Sequence, residues 1–195
     1  MRATNGSGKL NKIEDCYLQS DLAANGILYA ASGGISPAWV MYFDNIPDIS
    51  DKKSAKYNDE TGIGRSAPIK AYANSDNRNI SVDCHFFVQE EEGDRSAEAI
   101  MTTLRWLEAH VYPKQASAPY APPPIMKIRC KDILATSPLC VVLLDYNVKF
   151  DSSVPWDEET GCPYKVDVSL NFEVVYNSSN LPYAEDIRIT GTGGG

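Results

Sequence analysis

A strict two-residue alternation in the last third of the chain limits most strongly what it can fold into. Between positions 166 and 174 every second residue is apolar, and polar or charged residues fill the positions between them. A strand with this period buries one face and presents the other to water. The segment 142–150 has the same period, with one apolar set and one polar set: Val142, Leu144, Tyr146, Val148 and Phe150 against Asp145, Asn147 and Lys149.

The acidic connector 151–163 lies between these two long strands. Two amphipathic strands joined by a turn-rich connector are typical of an antiparallel pair. Each has about ten residues or more, which exceeds the five or six of an ordinary strand. Long paired strands in a domain of this size commonly extend past the core and form an assembly surface.

Shorter apolar or alternating runs predict further strands at 39–43, 68–73, 80–89 and 125–130. The polar stretches 45–56 and 58–65 are interpreted as a loop and a turn. One helix is predicted over 95–111, with Asp94 as its N-cap and Pro113 after its end. Its apolar residues recur at three- and four-residue steps: Ala97, Ile100, Met101, Leu104 and Leu107.

These elements predict one mainly β domain of the α+β type, an antiparallel β-barrel or sandwich with a long C-terminal strand pair and one flanking helix. Residues 1–37 lack a sustained period and are interpreted as an irregular N-terminal arm. The β domain occupies 38–176. The glycine-rich end, 177–195, is predicted to be a flexible tail.

Charge and cysteine content narrow the function classes. The 195 residues include 26 acidic and 18 basic ones, a formal charge of −8, whereas a protein that grips nucleic acid needs a basic surface. No apolar run approaches the length of a membrane span, and residues 1–15 lack the apolar centre of a signal peptide, so the chain is expected to stay where it is made. Five irregularly spaced cysteines suggest buried thiols in a reducing compartment.

No candidate catalytic or metal site passes a test of context. Gly62–Ala67 has the letters of a dinucleotide fingerprint, and Gly6–Lys9 hints at a phosphate loop, but neither has the required strand and helix around it. Ser81, Asp83 and His85 share one strand face, where Ser81 and His85 would stand about 13 Å apart, too far for a triad. Only two histidines and no Cys-x-x-Cys pair are present. The sequence therefore predicts a non-enzyme without metal or cofactor.

Several short segments follow one another in a particular order between residues 38 and 176: Ser54–Tyr57, Gly64–Ile69, Tyr72, Leu104–Leu107, Tyr112-Pro113, Pro122–Pro124 and Leu170–Val174. Their order and spacing resemble those of the tail-tube-like proteins in the baseplates of contractile-tailed bacteriophages, the tube initiators. The resemblance does not include the leader.

The resemblance implies a hexameric ring of identical chains, with hairpins that line a channel, between the baseplate hub and the tail tube. It implies a virion protein of the tail, synthesised in the host cytoplasm, with no membrane partner and only transient passage of DNA. Asp145, Asp167 and Glu173 are candidate lumen residues that would repel DNA and let it slide, and Trp156 is a candidate assembly residue.

Other functions remain open at this point. A tail terminator at the head end of the same tube would have much the same sequence. A soluble β-sandwich that binds a small ligand or glycan would use Trp39, Trp156 and Tyr120 as contacts. The remaining class is an enzyme whose catalytic residues come together from distant loops.

Overall fold

A computed structural model describes residues 16–22, 29–30, 39–64, 66–88, 97–114, 120–135, 137–177, 181–184 and 187. Ten strands and two helices lie in these ranges. In chain order they are β1 (Cys16–Ser20), β2 (Tyr29–Ala30), β3 (Trp39–Tyr42), β4 (Asp48–Lys52), β5 (Ala55–Glu60), β6 (Ile69–Ser75), β7 (Asn79–Phe87), α1 (Ala97–Ala109), β8 (Met126–Cys130), α2 (Lys131–Leu134), β9 (Leu139–Lys149) and β10 (Lys165–Val174).

Eight strands form one antiparallel sheet in the order β2-β3-β1-β8-β9-β10-β7-β4, and β5 and β6 form a separate two-stranded sheet. Within the described part of the chain the large sheet has two edges, β2 and β4, so it is open and sandwich-like rather than a closed barrel. The fold class predicted from the sequence is confirmed: the chain is mainly β with one flanking helix of ordinary length.

One hydrophobic core lies between one face of the large sheet and α1. Every second residue of β10 is buried, from Val166 to Val174, and so are Ile80, Val82, Cys84 and Phe86 of β7. The helix contributes its own buried set, Ile100, Leu104, Trp106 and Leu107. The helix predicted over 95–111 is thus confirmed within the described residues, and Asp94, its predicted N-cap, lies outside them.

The register of the long strands agrees with the predicted pair except at one point. β10 runs antiparallel to both β7 and β9, but its register with β9 shifts between Asn171 and Phe172, so that Leu144 is an extra residue in β9. This β-bulge puts Leu143 and Tyr146 on the core side and leaves Leu144 exposed. The prediction that Val142 and Leu144 lie on the same face as the later apolar residues Tyr146 and Val148 is therefore wrong.

The structure also corrects the interpretation of two segments as irregular. Cys16–Ser20, assigned to an N-terminal arm over 1–37, is the interior strand β1, which pairs with β3 on one side and β8 on the other. The polar stretch 45–56 contains β4 and the start of β5, and β5 continues into the predicted turn at 58–65. Most of the tail 177–195 lies outside the described residues.

Candidate functional site

The face of the large sheet opposite the core is polar across four strands. We call this face, formed by the outward-pointing residues of β4, β7, β10 and β9, the polar wall. The strand registers arrange it in rows, in which residues of neighbouring strands stand directly opposite each other: Phe87–Lys165, His85–Asp167–Lys149, Asp48–Asp83–Ser169–Asn147, Ser50–Ser81–Asn171–Asp145 and Lys52–Asn79–Glu173–Val142.

Hydrogen bonds between strands organise the wall. Asn171 Nδ2 donates to Asp145 Oδ1 at 2.8 Å, and its Oδ1 accepts from the Ser81 hydroxyl at 2.6 Å. Asn171 thus links β7, β10 and β9 through one amide. At the end of the wall, Asn77 donates to the carboxylate of Glu173. Cross-strand pairs of this kind stabilise a sheet and hold its surface side chains in place.

The best-defined charge cluster of the wall surrounds Asp167. His85 Nδ1 lies 2.6 Å from Asp167 Oδ1, and Lys165 Nζ lies 3.0 Å from the same oxygen. Partial burial raises the pKa of the Asp167 carboxyl, but the hydrogen bonds from Lys165 and His85 together outweigh burial and lower it overall. Asp167 is therefore ionised at neutral pH and stays so well into the acid range.

The wall places three of the four candidate residues on one surface. Asp145, Asp167 and Glu173 all point outward from β9 and β10 on the same face. They are joined there by Asp48 and Asp83, whose place on the wall depends on which strands neighbour β7 and so could not be predicted from the sequence. Five carboxylates stand against three lysines, Lys52, Lys149 and Lys165, so the wall is acidic.

Trp156, the fourth candidate, lies away from the wall. It belongs to the segment 150–164 between β9 and β10, which we call the tip, and it forms an isolated β-bridge with Pro163. Its ring centroid is 6.2 Å from that of Phe150, and both rings are nearly half exposed. Asp157 holds the turn of the tip by accepting hydrogen bonds from Thr160 and from the Glu159 amide, which lower the pKa of the Asp157 carboxyl.

The β5–β6 hairpin was predicted only in part: β6 agrees with the strand predicted at 68–73, whereas β5 lies in the stretches interpreted as a loop and a turn. Strand β4 continues through Lys53 and Ser54 into β5, and β6 returns to β7, so the hairpin prolongs the pairing of β4 with β7 beyond the large sheet. We call residues 52–77 the arm. Every residue of β5 and β6 is exposed except Ala71, which is half buried. The exposed tyrosines Tyr57 and Tyr72, 56% and 61% exposed, face each other with ring centroids 5.8 Å apart.

An arginine ties the base of the arm to the body. The Arg78 guanidinium bonds both oxygens of Asp51, with Nη2 at 2.6 Å from Oδ2, and it donates to the Leu134 carbonyl at 2.8 Å. The hydrogen bond to Asp51 raises the pKa of Arg78 further above its ordinary value. The arm therefore leaves the sheet from a fixed point, although its own strands have no core beneath them.

Three of the five cysteines and the second histidine, His110, are buried in the interior, whereas Cys140 is exposed and Cys162 is partly exposed. No disulfide joins the five cysteines, all of which lie in the described ranges. Burial raises the pKa of the Cys84 thiol to about 12, which keeps it protonated. His110 is fully buried, with Nδ1 2.8 Å from the Trp106 carbonyl and Nε2 2.8 Å from the Ser20 hydroxyl. It therefore supports the contact of α1 with β1.

The described residues contain no group of three or more His, Cys, Asp or Glu side chains that could hold a metal ion. None of the described helices is both long enough and apolar enough to cross a membrane. Two of the residues considered for a hydrolase triad form hydrogen bonds to other residues of the sheet: Ser81 bonds Asn171, and His85 bonds Asp167.

The aromatic residues considered for ligand binding are not gathered into one platform. Trp39 lies on β3 and packs against the core, three strand positions away from β9. Trp156 is in the tip, at the end of β9, and Tyr120, 98% exposed, lies in the connector between α1 and β8.

Comparison of the sequence with models of protein families and with curated proteins found no match.

Proposed function

We propose that this chain is a structural protein of a contractile phage tail, without enzymatic activity, that forms a ring in the tail tube or baseplate. In this role it is a tube initiator, which joins the baseplate hub to the tail tube and lines a channel for DNA. The observation that carries the proposal is the polar wall, an acidic surface across four strands, three of which, β7, β9 and β10, bury residues of their opposite face in the core.

The dimensions and rigidity of the wall suit a channel lining. β9 has 11 residues and β10 has 10. At about 3.3 Å per residue, strands of this length span roughly 33–36 Å. The buried residues of β10 and β7 fix the wall from behind, and the cross-strand bonds of Asn171 fix it from the front.

The sign of the charge suits passage rather than binding. The carboxylates of Asp145, Asp167 and Glu173 would face a channel formed by several copies, and phosphates would be repelled by them. The lowered pKa of Asp167 keeps its charge in place over a wide pH range. Lysines paired with carboxylates on the same wall, such as Lys165 with Asp167, are poorly placed to hold phosphates.

The partners that follow are other copies of the chain, the tail-tube protein above the ring and the hub protein below it. The order of segments from Ser54–Tyr57 to Leu170–Val174 resembles tube initiators, and a tail terminator at the head end of the same tube is the alternative. The place of action would be the tail of the virion.

The native mass and symmetry of the purified protein test the proposal, together with its position in virions that contain it. We expect a ring of identical subunits by mass photometry and negative-stain microscopy, and antibody labelling at the baseplate end of the tail. Labelling at the head end would favour the terminator. A protein that stays monomeric under all assembly conditions and is absent from tails would contradict the proposal.

A further inference from the structure

The arm and the tip lie at opposite ends of the long strands. The arm joins the end of β4 to the start of β7, beside the end of β10. The tip joins the end of β9 to the start of β10, beside the end of β7, where the Val88 amide donates to the Tyr164 carbonyl at 2.9 Å. One copy therefore presents its arm at one end of the sheet and its tip at the other.

The arm exposes apolar side chains as an interface does, and it has no hydrophobic core of its own. A two-stranded hairpin is marginally stable alone in water, yet this one exposes Tyr57, Ile63, Ile69 and Tyr72. Four of its eight charged residues pair with each other, since Lys56 binds Asp76 at 2.7 Å and Lys70 binds Asp59. What the arm offers to a partner is therefore aromatic and aliphatic surface, together with the excess of positive charge that these pairs leave.

The arm also differs in charge from the rest of the chain. Within residues 52–77 five basic residues stand against three acidic ones, a formal charge of +2, whereas the whole chain carries −8. They are Lys52, Lys53, Lys56, Arg65 and Lys70 against Asp59, Glu60 and Asp76. The neutral pair of Arg78 with Asp51 closes the base just outside this segment.

The tip has the complementary properties. Residues 150–164 include four acidic residues and no basic one, a formal charge of −4, namely Asp151, Asp157, Glu158 and Glu159. The aromatic rings of Phe150, Trp156 and Tyr164 are exposed beside them. A basic surface with tyrosines at one end of the molecule thus matches an acidic surface with aromatic rings at the other.

We propose that the arm of one copy binds the tip of the next copy, head to tail, and that this contact links the subunits of the assembly. This inference rests on the proposed function, because it names the contact by which the copies associate. Complementary charge guides the encounter, and large aromatic side chains supply the buried anchors. A head-to-tail contact leaves one free arm and one free tip on every pair, so the chain of contacts continues until a ring closes or a stack forms.

Charge exchange between arm and tip tests the contact. The arm variant Lys53→Glu/Lys70→Glu changes the arm from +2 to −2, and the tip variant Ser152→Lys/Glu158→Lys/Glu159→Lys changes the tip from −4 to +1. Each variant alone then opposes like charges across every contact. In an equimolar mixture every contact between unlike copies again joins opposite charges, so assembly should require both variants.

The measurement is sedimentation velocity of the full chain at about 50 mM salt, where surface charges are weakly screened. We expect each variant alone to lose at least tenfold in association and the mixture to recover it. The control Lys114→Glu/Lys127→Glu makes the same charge change outside both segments, and it also removes one exposed ion pair, that of Lys114 with Asp21. It should associate like the wild type.

Thiol cross-linking gives a second measurement that does not depend on charge. Cys162 is a native, partly exposed cysteine of the tip, and Ile63→Cys places a second one in the arm. Both are tested in a Cys140→Ser background, because Cys140 is exposed and would also react. A bis-maleimide should produce a ladder of species beyond the dimer, which Cys162→Ser abolishes. A product that stops at the dimer would contradict the head-to-tail contact.

The outcomes separate the two proposals. Assemblies that form but are indifferent to both charge variants and give no cross-link through Cys162 would overturn the arm–tip contact and leave the ring proposal standing. A wild-type chain that never associates would overturn both.

Discussion

Asp48 on β4 and Asp83 on β7 stand directly opposite each other in an antiparallel pair, with both side chains on the polar wall. Both are exposed, and on the other side Asp83 faces the neutral Ser169 of β10. Like charges at directly opposed positions destabilise a sheet. The pair therefore lowers the stability of the sheet while it adds negative charge to the wall, as a channel that repels phosphates would require.

Replacing one member of this pair should stabilise the protein. We expect Asp83→Asn to raise the free energy of unfolding by about 0.2–1 kcal/mol, because it removes a repulsion across the strands. Asp145→Asn is the matched control, since it removes a wall charge that has no opposed carboxylate and accepts a bond from Asn171. Urea unfolding at pH 7 measures both. An equal gain in the two variants, or a loss in Asp83→Asn, would contradict the repulsion.

Reversing the same charge should remove the excess negative charge of the wall, because four carboxylates then stand against four lysines. We expect assembled Asp83→Lys to retard duplex DNA more than the wild type does in a mobility assay at about 50 mM salt and to release it at higher salt. Asp21→Lys makes the same change near the end of α1, in an exposed ion pair with Lys114. Equal retardation by both variants would show that the position on the wall does not matter.

The arm should contribute to assembly and little to folding. Tyr57→Ser/Tyr72→Ser should change the free energy of unfolding by no more than about 0.5 kcal/mol, because both rings are exposed on a hairpin without a core. The same variant should lose association in sedimentation velocity. Phe172→Ala, a fully buried residue of β10, should cost about 3–5 kcal/mol and serves as the reference for a core position. If the arm variant loses as much stability as Phe172→Ala, the two tyrosines contribute to folding like core residues, and the prediction is wrong.

His110 should make the protein sensitive to mild acid. Its Nδ1 donates to the Trp106 carbonyl, so Nε2 accepts from the Ser20 hydroxyl and the buried ring is neutral. Burial lowers the pKa of His110 below its ordinary 6.5. The unfolded chain therefore takes up a proton below about pH 6.5 that the folded chain does not, and stability falls as the pH drops from that value toward the folded pKa.

His110→Gln provides the test of this pH dependence. At pH 7.5 we expect the variant to be less stable by about 1–3 kcal/mol, since buried bonds are lost. Between pH 7.5 and 5.5 its stability should fall less than that of the wild type, measured by urea unfolding at each pH. A parallel fall in both proteins would assign the acid sensitivity to other groups.

The sequence predicts those elements whose two faces have different surroundings. β10 and β7 alternate cleanly because one face is buried and the other belongs to the wall, and α1 repeats at helical spacing because one side packs on the sheet. In the arm, β6 was predicted at 68–73, but β5 was missed because both of its faces are exposed and no burial pattern marks it. β1 is short, and its inward residues include the polar Ser20, so its alternation is weak.

Register explains what else was missed. Around the bulge, 139–144 is apolar at nearly every position, and the sequence alone does not tell whether Leu143 or Leu144 faces the core. Asp167 and Glu173 could be placed on one face because they share a strand. Their association with Asp145, Asp83 and Asp48 depends on which strands are neighbours, and this is decided by packing across the whole sheet.

A cryo-microscopy reconstruction of the purified, assembled protein shows whether the polar wall lines a channel. We expect a closed ring of identical subunits in which β4, β7, β10 and β9 turn their polar wall, with Asp83, Asp145 and Asp167, toward an open central channel. A ring whose wall faces the outside solvent, or a particle without a channel, would contradict it.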